Sequence, residues 1–150
     1  ELNEQLRPTL LGMRPGTRVV SNTFGMGDWE PDQVIRVSSN TGYFWKVPAQ
    51  VAGQWSVQGL DRRGAVLLHL TQRYQRVGGT LAWGDKVQPL LGTRLDGADL
   101  HFSFVKEDGQ LQAVQVRVQG GTMAGEWAGP YGMFEFQPEV VKVSAQRLGH

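Results

Sequence analysis

At 150 residues, with a formal net charge of +1 and no cysteine, the chain is long enough for one domain, or one domain and a fragment of another, around a real hydrophobic core. The lack of cysteine excludes disulfides, thiolate zinc sites and cysteine nucleophiles. Charge does not segregate, since residues 1–50 hold five Lys/Arg and five Asp/Glu and residues 51–150 hold ten and nine; without a basic field to release counterions from phosphates, no nucleic-acid partner is expected.

The chain opens on Glu1 and runs straight into apolar spacing at Leu2, Leu6, Leu10 and Met13. This spacing predicts one helix over residues 2–13, or two short ones with Pro8 in the first turn of the second, where its missing N–H is harmless. No Ser, Thr, Asp or Asn precedes it as an N-cap. Either sequence that preceded it has been cut away, or an initiator Met has been trimmed from a frayed terminus. Arg14-Pro15-Gly16-Thr17 reads as a turn, and residues 17–21 as a β-branched strand. A loop rich in Gly, Asp and Trp covers residues 22–32. Gln33–Val37 is a short strand, and residues 43–47 are an aromatic strand that ends at Pro48.

From Trp55 the texture changes to short alternating runs between turns. Trp55 and Val57 share a face, as do Val66, Leu68 and Leu70. The same holds for Leu81 with Trp83, for Leu100 with Phe102 and Phe104, and for Val114 with Val116 and Val118. Met123 pairs in this way with Trp127, and Phe134 with Phe136. Asp61-Arg62-Arg63-Gly64, Gly84-Asp85, Asp96-Gly97, Asp108-Gly109, Gly120-Gly121 and Gly129-Pro130 separate them, and Asp-Gly and Gly-Gly suit the positive φ angles of tight hairpins. The pattern is an up-and-down antiparallel meander of about eight strands, closed as a barrel or folded as a sandwich. The expected fold class is therefore mainly β, with residues 51–150 as the barrel or sandwich and residues 1–50 as a short, packed α/β segment of a helix and three strands.

No complete catalytic constellation is present. His69 and His101 fall on outward faces and His150 is terminal, so no metal site is expected. Gly25-Met26-Gly27 is followed by no helix pattern, which leaves it without the dipole that a phosphate loop needs. Asp28, Glu30 and Asp32 cluster around Trp29, either as the lip of a ligand cleft or as acids capping a turn. The five tryptophans either fill the β core or line a cavity for a small-molecule ligand.

The stretch 2–21, with its Arg14-Pro15-Gly16 turn and Val19-Val20 strand, and the continuation Met26-Gly27-Asp28-Trp29-Glu30-Pro31-Asp32 together resemble the later half of a bacterial class I S-adenosylmethionine-dependent methyltransferase. The resemblance covers about residues 1–50. It implies that these residues form the end of a Rossmann-like sheet, with residues 17–21, Gln33–Val37 and residues 43–47 as its fifth, sixth and seventh strands. It also implies S-adenosylmethionine as cofactor of a longer protein. The cofactor-binding half lies outside these residues, so no cofactor is expected on this chain alone. No catalytic residue is carried over; Asn22, Asp28 and Trp29 are the candidates for the substrate side of the cleft. The meander resembles a lipocalin-like or avidin-like module appended to such an enzyme. Unpaired strand edges in residues 1–50 imply a homo-oligomer. No stretch approaches the ~20 apolar residues that span a bilayer and no charged-then-apolar leader opens the chain, so no membrane partner and a cytoplasmic location are expected.

Overall fold

The computed structural model describes residues 2–128 and 140–149. The chain folds as helix α1 (Leu2–Leu11) followed by β1 (Arg18–Asn22), β2 (Gln33–Val37) and β3 (Asn40–Lys46). Nine more strands follow: β4 (Gly53–Asp61), β5 (Gly64–Arg73), β6 (Arg76–Trp83), β7 (Lys86–Pro89), β8 (Leu91–Asp96), β9 (Asp99–Val105), β10 (Leu111–Gln119), β11 (Thr122–Ala128) and β12 (Val140–Arg147). The first three form one sheet in the order β1-β3-β2; the other nine form a second.

The second sheet is antiparallel and runs β7-β6-β5-β4-β12-β11-β10-β9-β8. Its two edge strands are consecutive in the chain, separated by Leu90 alone, so the sheet curls until its ends nearly meet. The seam is bonded. The Gln88 side chain donates to the Val105 carbonyl and accepts from its N–H, both at 2.8 Å. A sandwich is thereby ruled out in favour of a nearly closed barrel. Trp55, Leu68, Leu81, Leu100, Phe104, Val114, Val116 and Met123 all point inward and are buried, as their alternation predicts. Phe134, Phe136, Gly129-Pro130 and His150 lie outside the described residues.

Three strands were not anticipated. Leu95 alone is fully buried across β7 and β8, so their sequence shows no alternation to read. In β12, Val143 and Ala145 are buried, yet Ala145 is too small to mark a face.

The N-terminal helix is continuous through Pro8. Pro8, which cannot serve the carbonyl four residues before it, is exposed, so the helix carries it on its solvent side. The packed face is also not the one expected. Asn3, Arg7, Leu10 and Leu11 are half-buried, whereas Leu2 is 70% exposed and Leu6 and Met13 are nearly half exposed. Arg7 turns the helix inward because it donates to the Met26 carbonyl at 3.0 Å and to Asp28 at 2.5 Å. The turn into β1 is as expected: Thr17 N–H donates to the Arg14 carbonyl at 3.0 Å, with Pro15 first and Gly16 at φ 91° second, the preferences of a type II turn.

Residues 47–52 join the sheets with Val47, Ala49 and Val51 buried. The Gln72 side chain stitches them to the barrel. It accepts from Val51 N–H at 2.7 Å and donates to the Ala49 and Tyr74 carbonyls at 2.8 Å each.

Candidate functional site

The barrel has two ends. Antiparallel connectivity puts the β4–β5, β6–β7 and β9–β10 turns at one of them, the mouth, beside the end of β11 and the start of β12. There a cavity of about 730 Å³ is walled by Trp83, Phe104 and Trp127 and rimmed by Asp61, Arg62, Arg63, Lys106, Glu107 and Asp108. The volume falls within the roughly 300–1,000 Å³ of small-molecule sites.

The aromatic wall is ordered edge to face. Trp83 meets Phe104 with ring centres 6.0 Å apart at 82°, and Phe104 meets Trp127 at 6.4 Å and 78°. These are the geometries that ring quadrupoles favour. Trp127 is pinned by a bulge. Gly59 takes φ 102° where β4 slips its register against β5, and its carbonyl accepts from Trp127 Nε1 at 2.9 Å. A Cβ at position 59 would lie 2.2 Å from the Lys142 carbonyl oxygen. Glycine is therefore demanded twice, by conformation and by room. Lys106 Nζ stands 5.3 Å over the Trp127 ring.

The rim is clamped by charge. Arg63 holds Asp61 through Nε at 3.2 Å and Nη2 at 3.1 Å, and it also bonds Glu107 across on the β9–β10 turn. The Arg63 side chain and backbone N–H together hold the Asp61 carboxyl below the usual carboxylate range. Arg62 has no ion-pair or hydrogen-bond partner among the described residues. Three buried donors are likewise unpartnered among the described residues: Trp83 Nε1 and Gln112 Nε2 in the barrel, and Trp29 Nε1 in the core of the small sheet. Gln112, 1% exposed, is the one polar residue in the buried set among the described residues and lies opposite Phe104 in the β9–β10 register.

The sequence-derived candidates lie at the opposite end. Asp28 accepts from Arg7, from Arg73 at 2.8 Å and from the Tyr74 hydroxyl at 3.0 Å. The Tyr74 and then the Arg73 bonds draw its carboxyl below the usual range. Burial first, and then the bond to Asp28, push the Tyr74 hydroxyl up. Trp29 is wholly buried, stacked on Tyr74 at 6.1 Å and 18°, and its carbonyl accepts from Trp45 Nε1 at 2.9 Å. Glu30 pairs with Arg76 and offers its carbonyl to Gln75 at 2.7 Å. Asp28, Trp29 and Glu30 thus bind the β5–β6 turn, joining the small sheet to the barrel. Asn22 ends β1 exposed, its side chain bonded only to Thr23 at 3.3 Å among the described residues, and shares no bond with Asp28 or Trp29.

The five tryptophans divide by place: Trp29, Trp45 and Trp55 are core, while Trp83 and Trp127 are half-buried at the mouth. Sequence reasoning passed over Gln112. Its signal was available, because Gln112 precedes Val114, Val116 and Val118 on one alternating face, and a polar residue at an inward position needs a reason.

Comparison with protein-family models, with curated proteins and with solved structures returns no match.

Proposed function

We propose that the barrel binds a small, mostly apolar ligand in its open mouth. The observation that carries this reading is that, among the described residues, Trp83 and Trp127 stay only half-buried at the cavity, on either side of the buried Phe104. A mouth built only for stability would bury these rings, because each fully buried large apolar side chain contributes about 1.5–3 kcal/mol. Calorimetric titration of naphthalene, an uncharged planar probe, should give a Kd below about 1 mM, −4.1 kcal/mol. Trp83→Ala should weaken it at least tenfold. No binding to the folded chain overturns the reading.

A second reading concerns residues 2–46. They would be the closing strands of the Rossmann-like sheet of a class I S-adenosylmethionine-dependent methyltransferase, with the barrel as its accessory module. Strands β1 and β2 run parallel to each other with antiparallel β3 between them, and mixed endings of this kind are common on doubly wound sheets. The outer edge of β1 has no partner strand among the described residues, and Val20 on it is 75% exposed. Both features support a sheet that continues elsewhere. On this reading the 150-residue chain gives no heat with S-adenosylmethionine, while a longer natural protein containing it binds. Binding by the short chain tighter than ~100 µM, about −5.5 kcal/mol, or no binding by the longer protein, overturns it.

A further inference from the structure

Resting on the mouth as a binding site, we infer that its ligand is elongated, with a flat ring held at Trp83 and Trp127 and an aliphatic tail that leaves over the top of the barrel seam and lies in an outer groove between β7 and β9. The barrel wall is incomplete there. β7 and β8 are the two edges of the nine-stranded sheet, and no strand pairing joins β7 to β8 or β9. The Gln88 side chain stands in for the missing ladder by bonding the Val105 backbone. Mouthward of that clasp, Lys86 and Val87 face Lys106 and Glu107 with no ladder between them. The wall therefore has a slot at its rim, through which a bound molecule can extend sideways without entering the packed core.

A second cavity, of about 470 Å³, begins at that slot. It shares Trp83, Lys106 and Glu107 with the mouth, so the two spaces adjoin, and its own apolar lining is Val87, Pro89, Leu91 and Val105. Leu91 pairs with Ser103, on the face opposite to the buried Phe102 and Phe104, so the groove runs down the outside of the wall. Its side chains stand in water, Val87 at 66% exposure and Leu91 at 43%. Beyond residue 46, six large apolar side chains are exposed among the described residues. Three of them line this groove, and a fourth, Leu111, lies opposite Val105. Single exposed apolar residues are ordinary, whereas a contiguous set marks a contact surface. Continuity with the mouth selects the occupant, and the two linings select its chemistry: aromatic at the mouth, aliphatic along the groove. A strand rises about 3.4 Å per residue, so the two-residue step from Val105 to Ser103, level with Leu91, is roughly 7 Å, within reach of a short alkyl chain.

The experiment compares naphthalene with 2-hexylnaphthalene, titrating the chain into dilute probe and reading the probe's fluorescence. The inference expects the hexyl probe to bind at least tenfold more tightly. A longer tail gains affinity wherever it is buried, so the place of the gain decides. Val87→Gln and Leu91→Gln, at side chains already exposed, should each cut the gain severalfold while leaving naphthalene affinity in place. Amide chemical shifts of the unsubstituted chain give a second readout that needs no variant: Val87, Leu91 and Val105 should move with the hexyl probe and stay still with naphthalene. Equal affinity for the two probes overturns the inference while the binding reading stands. So does a gain that neither substitution reduces and that leaves those amides unmoved, because the tail then lies inside the mouth. Binding of neither probe overturns both.

Discussion

The barrel and the small sheet were built by different rules. The barrel closes on itself: nearly every strand presents one buried apolar face, and a single cluster runs from Ala49 through Leu100 to Ala145. The small sheet fully buries only Met26, Trp29, Trp45 and Val47. Of the fourteen large apolar side chains exposed among the described residues, eight lie in residues 2–37: Leu2, Leu6, Met13, Val20, Phe24, Val34, Ile35 and Val37. A sheet that closes supplies its own core. An open three-stranded sheet with one short helix cannot, and it depends on what it is attached to. Its attachments are the β5–β6 turn, the buried 47–52 connection and the Lys46–Asp96 ion pair.

The comparison breaks most readily in the barrel. Leu100 is wholly buried, so Leu100→Ala should cost about 2–5 kcal/mol, read as a lower midpoint in urea unfolding by both fluorescence and circular dichroism. A loss below about 1 kcal/mol would mean that the barrel is not the stable half.

The junction comes next. Tyr74 opens a two-residue hairpin turn at φ 57°, a place where glycine is at ease and a bulky residue is strained. The strain is held by the Trp29 stack and the bond to Asp28. Tyr74→Gly removes both contacts and relieves the backbone together. The barrel should therefore keep its stability to within about 1 kcal/mol, while amide exchange in residues 2–46 accelerates. Equal acceleration in both regions would show one cooperative unit.

Acid should act at the same place. The bonds from Tyr74 and Arg73 favour the charged form of Asp28 and lower its folded pKa. Its contribution is thus full above the ordinary aspartate pKa of about 3.9 and is lost as pH falls through the lower folded value. The difference in melting temperature between the native chain and Asp28→Asn should stay constant from about pH 7 to 5 and close below about pH 4. A difference that does not change with pH would leave the carboxylate no part in the junction.

Much of the barrel was legible because alternation and turn chemistry are local. Leu100, Phe102 and Phe104 declare a face without reference to any other strand. Closure was not legible. Barrel and sandwich share the same alternation, and the choice rests on β12 pairing with β4, where Arg147 stands opposite Trp55, and on Gln88 clamping Val105 across the seam. The helix face was misplaced because hydrophobic spacing was read without Arg7, whose bonds to Met26 and Asp28 depend on a loop some twenty residues away. At the mouth, Gln112 could have been found from its register, whereas the bulge at Gly59 could not, since nothing local distinguishes a glycine at φ 102° from one in an ordinary strand.

The smallest expected effect bears on the uncovered face of the small sheet. In the β1–β3 register Val20 pairs with Phe44, and in the β2–β3 register Ile35 pairs with Gly42 and Val37 with Asn40. By the alternation of strands these side chains share one face, opposite to Val19, Tyr43 and Trp45, which meet the helix. Val20, Ile35 and Val37 are 75%, 51% and 63% exposed. Val20→Thr keeps the β-branched shape that suits a strand and removes only apolar surface already in water. Its cost should stay within about 0.5 kcal/mol, the same at low and high protein concentration. A cost above about 1 kcal/mol that grows with concentration would mean that a second copy covers this face, because association stabilises the folded state by mass action. The small sheet would then complete its core between molecules, and its contrast with the self-sufficient barrel would be sharper still.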